Sequence, residues 1–305
     1  MDTVIEAVGL AKKFGRVHAL DGLDLSIDEG EVHGFLGPNG AGKSTTLRVL
    51  LGLTKRSGGS VSVLGLDPWR DAVAIHRRLA YVPGDVSLWP NLSGGETIDL
   101  LAGMRGGADQ VRRKQLVDDF ELDVKKHARS YSKGNRQKVA LIAAFARRAD
   151  LYLLDEPTSG LDPVMEAVFR EQVRRVRAEG ATVLLSSHIL SEVEELCDRV
   201  TIIRAGVAVE RGTLSEMRHL TSTAFTVVTD APLDTIASLP GVLHASTGDQ
   251  AASGLQTLHF DVSTDAVGAV TAVLAGHRIE AMTATPPSLE ELFLRHYGDR
   301  VEAAS

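Results

Sequence analysis

The residues best suited to chemistry lie in "EVHGFLGPNGAGKSTTLRVLLGL". Gly37-Pro38-Asn39-Gly40-Ala41-Gly42-Lys43-Ser44 fits the pattern G-x-x-x-x-G-K-[ST]. Glycines without a Cβ let such a loop wrap closely and turn successive N–H groups toward one anion. A helix starting there adds its positive end. Lys43 can reach the outer phosphates of a polyphosphate, and Ser44 can offer its hydroxyl oxygen to Mg²⁺. The setting supports the motif, since an apolar run, Val32–Leu36, precedes the loop. Leu47, Val49, Leu50 and Leu51 then give a helix its apolar side.

Two further segments repeat the plan of an apolar strand delivering polar residues at its end. "LYLLDEPTSGLDP" carries Asp155 and Glu156, adjacent carboxylates that can divide the work. One would hold Mg²⁺ through its water shell while the next polarises an attacking water. "ATVLLSSHILSEVEELCDRV" places His188 between a strand and a helix, in reach of a terminal phosphoryl group. In a parallel α/β sheet the carboxyl ends of the strands are where ligands bind. No N-K-x-D guanine-reading motif is present, which argues against a GTPase.

The chain must supply a sheet to hold these loops. Its 305 residues allow one domain of about 200 residues and a smaller one. No apolar run approaches the ~20 residues of a membrane helix, so the chain is not expected to form a channel. The N-terminal "MDTVIEAVGL" is not expected to act as a secretory signal. The single cysteine, Cys197, permits no intramolecular disulfide and reads as a small buried hydrophobe. The net charge of −7 falls entirely after residue 220, where ten acidic residues face three basic ones. Neither part carries the basic excess of a polyanion-binding surface, so nucleic acid is not an expected partner.

The ordered set of motifs over residues 1–220 resembles the ATP-binding cassette (ABC) family. "GEVHGFLGPNGAGKSTTLRVLLGL" and "LLDEPTSGLDP" are nearly family strings. The resemblance implies an α/β cassette with a RecA-like core, an antiparallel β subdomain and a helical subdomain. It makes Gly37–Thr45 (Thr45 included) the phosphate loop, Leu151–Glu156 the acidic motif, Ser159–Asp162 the D-loop and His188 the switch histidine. Phe14 in "KKFG" takes the position that stacks on adenine.

The family signature precedes a helix that runs into the acidic strand, and two segments compete for it. LSGGE at 92–96 looks right in isolation, but Ser93 lies 62 positions before Asp155. Ser132 of "YSKGN" lies 23 positions before it and opens "RQKVALIAAFARR". YSKGN is therefore expected to be the working signature, with Ser132 and Gly134 as its essential groups. LSGGE is expected to open a helical region facing a membrane partner through Glu96. One departure stands out: "YVPGD" puts Gly84 where the family usually has glutamine, so either Asp85 takes over the Mg²⁺ contact or coupling is looser. That spelling resembles multidrug exporters.

By the same resemblance, two cassettes pair head to tail around ATP and Mg²⁺. Ser132 and Gly134 then serve the nucleotide on the partner's Lys43, and Asp162 communicates between sites. Glu156 is the expected base, with Lys43 and His188 stabilising charge. The expected role is the ATPase subunit of a daunorubicin-resistance-type exporter, peripheral at the cytoplasmic membrane face and bound to integral membrane permease subunits, as a homodimer. Two alternatives stay open: a soluble ABC-type ATPase acting on nucleic acid or ribosomes, and an ATP-gated regulatory protein with weak turnover. Residues 221–305 read as β-α-β-β-α-β, the order of a small acidic ferredoxin-like α+β domain. A closing helix is expected over "PSLEELFLRHYG".

Overall fold

The computed structural model describes residues 2–219, 222–250 and 255–285. Along the chain run β1 (Thr3–Phe14), β2 (Val17–Asp28), β3 (Val32–Leu36), α1 (Lys43–Leu50), β4 (Gly58–Val63), α2 (Ala72–Arg78) and β5 (Leu79–Val82). Next come α3 (Gly94–Gly103), α4 (Gln110–Asp119), α5 (Lys133–Phe145), β6 (Leu151–Asp155), α6 (Pro163–Ala178), β7 (Thr182–Ser187), α7 (Leu190–Leu196), β8 (Arg199–Arg204) and β9 (Val207–Thr213). The last are α8 (Leu214–His219), β10 (Ser222–Thr229), α9 (Leu233–Ala237), β11 (Val242–Gln250), β12 (Gln256–Ser263), α10 (Val267–Leu274) and β13 (Ile279–Thr285). The closing helix expected over "PSLEELFLRHYG" lies outside the described residues.

The chain divides into two compact units between Arg211 and Gly212, ahead of the boundary expected near residue 220. The change in composition that suggested 220 begins later than the division of the fold. In the first unit a six-stranded sheet has the order β5-β6-β7-β3-β8-β9, and a three-stranded sheet has the order β2-β1-β4. Strands β3, β6 and β7 are buried at every residue, which is why they read as continuous apolar runs. Their pairing is parallel, with Leu36 opposite Ser187 and Asp155 opposite Ser186. The three chemistry-bearing loops thus leave one sheet edge side by side, although more than a hundred residues of sequence separate Leu36 from Asp155. The antiparallel strands and α1 close one core with this sheet, through Ile5, Leu25, Phe35, Leu47 and Leu153.

Helices α3 and α4 pack on α5. Stacking of Phe145 on Tyr152, with centroids 5.3 Å apart, ties the end of α5 to β6. In the second unit β11-β12-β10-β13 form an antiparallel sheet around a core that includes stacked Phe225 and Phe260.

LSGGE has a structural explanation. Ser93 is the N-cap of α3, accepting from the Glu96 N–H at 3.2 Å while its own N–H donates to Glu96 Oε2 at 2.7 Å. This reciprocal capping box satisfies two otherwise orphaned donors, and it holds the Glu96 carboxyl below its usual range. Gly94 is required because a Cβ there would sit 2.2 Å from the Tyr131 hydroxyl. Ser93→Ala is expected to lower stability by about 1 kcal/mol in urea denaturation and to leave nucleotide affinity at the parental value. Loss of ATP-driven association in a folded Ser93→Ala protein would instead make this segment the signature.

Candidate functional site

The loops after β3, β5, β6 and β7 surround a cavity of about 510 Å³. Its lining includes Pro38, Asn39, Gly40, Gly42, Lys43, Ser44 and Thr45 from the phosphate loop. Gly84, Asp85, Asp155, Glu156 and His188 join them, whereas Gly37 and Ala41 of the same loop are not in the lining. Gly42 must be glycine, since φ is +114° there and a Cβ would stand 2.8 Å from the Ala19 carbonyl oxygen. Gly42 is the N-cap of α1, whose first turn lines the cavity through Lys43, Ser44 and Thr45.

Lys43 is buried, and its ammonium donates to the Gly37 carbonyl and, at 3.4 Å, to that of Pro38. It also stands 3.5 Å from Glu156 Oε1, while His188 Nδ1 contacts Glu156 Oε2. The carboxylate of Glu156 is therefore flanked by two groups able to carry positive charge. Its backbone is left-handed, with φ +49°, an uncommon conformation for a non-glycine residue. The N–H donates to the Ser186 carbonyl at 2.8 Å. This turn at the end of β6 sends the side chain into the cavity, while Asp155 stays buried behind it.

Burial pushes the Asp155 carboxyl up, opposed by the nearby Ser44 hydroxyl. Its Oδ1 is buried with no hydrogen-bond partner. A hydroxyl beside an unsatisfied carboxylate oxygen suits Mg²⁺, which binds through one or two carboxylates plus phosphates rather than an all-protein cage.

The other expected residues stand apart. Phe14 is half exposed at the end of β1, under the Lys12 ammonium at 4.6 Å, and does not line the cavity. Ser132 caps α5, accepting from the Asn135 N–H at 3.2 Å. A Cβ at Gly134 would lie 2.4 Å from the Gly160 carbonyl oxygen, so the signature loop rests on the D-loop. Lys133 adds a 2.7 Å bond to Ser159 Oγ, and Gln137 donates to the Pro157 carbonyl at 2.9 Å. Asp162 caps α6 through the Val164 and Met165 N–H groups. None of Ser132, Gly134 and Asp162 lines the cavity.

Sequence reasoning missed Arg48 and Tyr81 in the cavity wall, where Ser159 of the expected D-loop also lies. Arg48 was legible, four residues after Ser44 on one helix face. Tyr81 was not: its phenol is pushed up to about 12 by burial and by the charge of Asp155, a tertiary effect.

Residues 20–159 match the ABC transporter family. The chain is 34% identical to a daunorubicin resistance ATP-binding protein of Streptomyces coeruleorubidus, covering 100% of this chain and 99% of that one. The chain belongs to the ATP-binding proteins of ABC transporters. This family is one of ATPases, and its members bind ATP. A bacitracin transport ATP-binding protein of Bacillus licheniformis is 33% identical over 69% of this chain and 70% of its own. The solved structure of an ATP-binding subunit of an ABC transporter superposes with a TM-score of 0.68 at 32% identity, covering 72% of this chain and 93% of that chain.

In this ABC protein Gly84 runs directly against the acidic pair. A Cβ there would lie 3.2 Å from the Asp155 carbonyl oxygen and 3.4 Å from Glu156 Cβ. Gly84→Gln, which restores the usual family residue, is therefore expected to press on the Asp155 carbonyl and lower kcat by roughly two-fold or more. Steady-state ATPase assays at saturating ATP read the effect, and a rate at or above the parental one would refute the crowding.

Proposed function

We propose that this chain is the ATP-hydrolysing subunit of an exporter and works as a pair of copies on separate integral membrane subunits at the cytoplasmic face. The observation that carries the reading is a divided site. Lys43, Glu156 and His188 converge on one cavity, whereas Ser132 and Gly134 sit outside it on the tip of α5. A second copy, placed head to tail, brings its signature serine to this cavity, as a two-fold pair uses one patch twice.

In that pair the loop amides and Lys43 hold the triphosphate, and Phe14 stacks on adenine. Glu156 orients water and accepts its proton. Lys43 and His188 stabilise charge on the terminal phosphoryl group, mainly by position and electrostatics. Ser44 and Asp155, with Asp85 nearby, are the groups to hold Mg²⁺, which when bound neutralises phosphate charge. ATP then acts as the ligand that closes the pair, and hydrolysis releases it. Asp162 links the two sites through the D-loop.

A second cavity supports coupling to a membrane partner. It is a groove of about 620 Å³ whose walls include Leu53, Val73, Trp89 and Met104, all exposed, with Met104 at 66%. Exposed apolar residues gathered in one groove mark an interaction surface. Tyr81 and Pro83 line both this groove and the ATP cavity, so one short segment touches both ligands. No described helix is long and apolar enough to cross a membrane. Export fits the drug-resistance and antibiotic-transport names of the relatives. We take the C-terminal unit to be a ferredoxin-like module, since its strand order follows the split βαβ pattern.

Tagged Glu156→Gln protein, recovered from native membranes in ATP, tests the reading. A second copy of the chain and an integral membrane protein are expected to co-purify, with turnover at least about a hundred-fold below the parent. Parental turnover would remove Glu156 as the base. Recovery with ribosomes or nucleic acid, and no membrane protein, would favour a soluble ATPase.

A further inference from the structure

Gln137 lies in the second turn of α5 and is 1% exposed, in a helix whose later residues, Val139 to Phe145, are buried and apolar. Its Nε2 donates to the Pro157 carbonyl at 2.9 Å, in a buried bond. Three consecutive carbonyls follow β6, and they are satisfied in different ways. That of Glu156 accepts from the Ser159 N–H at 3.1 Å, and that of Thr158 from the Leu161 N–H at 2.9 Å. The Pro157 carbonyl between them takes its donor from α5 instead. A buried backbone acceptor needs a partner, and here a side chain 20 residues away supplies it. Two neighbours press on the same turn. Lys133 donates to Ser159 Oγ at 2.7 Å, and Gly134 allows the Gly160 carbonyl oxygen to come within 2.4 Å of where a Cβ would stand. Positions 133 and 137 are one helical turn apart, so a single face of α5 meets residues 157, 159 and 160.

We propose that Gln137 is a positioning residue for ATP hydrolysis, holding the turn behind Glu156 against α5 through the Pro157 carbonyl. The inference rests on the reading of Glu156 as the base. Gln137 does not line the ATP cavity and acts only on the peptide next to Glu156. Glu156 needs that support, because its φ of +49° is a conformation that non-glycine residues hold only when their surroundings impose it. On the upstream side its own N–H donates to the Ser186 carbonyl at 2.8 Å. Gln137 secures the downstream side. A neutral amide suits the task. Methionine would fill the space but leave the Pro157 carbonyl without a donor, and glutamate would set oxygen against oxygen. Ser132 caps the same helix, so the base and the signature serine of one chain share this contact between helix and turn.

Purified full-length protein with Gln137→Met or Gln137→Glu is assayed for kcat, KM and ATP affinity. Thermal unfolding confirms folding, and amide hydrogen exchange over residues 157–161 reads the turn itself. Gln137→Met is expected to lower kcat by roughly ten-fold, as misplacement of a reacting group does, with ATP affinity within about two-fold of the parent. Exchange over 157–161 is expected to quicken in the same protein, since the turn has lost an anchor. Gln137→Glu is expected to be at least as slow. A merely space-filling glutamine predicts parental kcat in Gln137→Met, because methionine keeps the volume. Parental kcat in that folded variant therefore overturns the inference, as does a loss of ATP affinity that matches the loss of rate. If Gln137→Met does not fold, Gln137→Glu carries the same test. If neither folds, Gln137 serves the fold alone and the inference falls. Glu156→Gln is the control: normal turnover there removes the reading of the base, whereas an inactive Glu156→Gln beside a fully active Gln137→Met sinks the positioning role alone.

Discussion

Parallel pairing of β6, β7 and β3 is the constraint on which the site depends. Each strand ends at the same sheet edge, so the phosphate loop, the acidic pair and His188 become neighbours without any contact in sequence. Complete burial of these strands makes that register hard to shift, because a slip would move every apolar side chain and break a continuous ladder. The polar groups at the strand ends then inherit the rigidity of the core. Glu156 adds a left-handed backbone turn, and Gly84 leaves just enough room beside it.

The same architecture keeps the signature serine away from its own cavity. α5 is anchored at its end by Phe145 on Tyr152 and at its start by the D-loop, through Gly134 against Gly160. Those contacts seat Ser132 beside the loop after β6 and outside the cavity lining. On the proposed pairing the site is completed only by association, and ATP binding and assembly become one event.

Much of this was legible in the sequence because the decisive signals are local. An apolar run, a glycine loop and an apolar helix face declare the phosphate loop, and "LYLLDE" and "VLLSSH" declare its two neighbours. Spacing to Asp155, set against the family's order of motifs, made YSKGN rather than LSGGE the expected signature. The structure adds the reason LSGGE exists, a capping box readable as Ser-x-x-Glu once the helix is known. What stayed hidden is tertiary. Glu192 sits in the acidic run "SEVEEL", where a solvated helix face is the natural reading, and only its burial and the Ser187 hydroxyl on its carboxyl show otherwise. Phe14 was readable as an aromatic at a strand end, but not its distance from the cavity lining. The unit boundary at Arg211 leaves no mark in composition, since β9 runs across it.

The central claim is that ATP brings the α5 tip of one copy to the phosphate loop of another. Two variants, Asn39→Cys and Ser132→Cys, test it when mixed and treated with a short bismaleimide, since both positions are exposed and the native Cys197 is buried. The account expects a cross-linked species that contains one chain of each kind and forms only with ATP. Cross-linking that ignores ATP, or none at all while ATP remains bound, would contradict it.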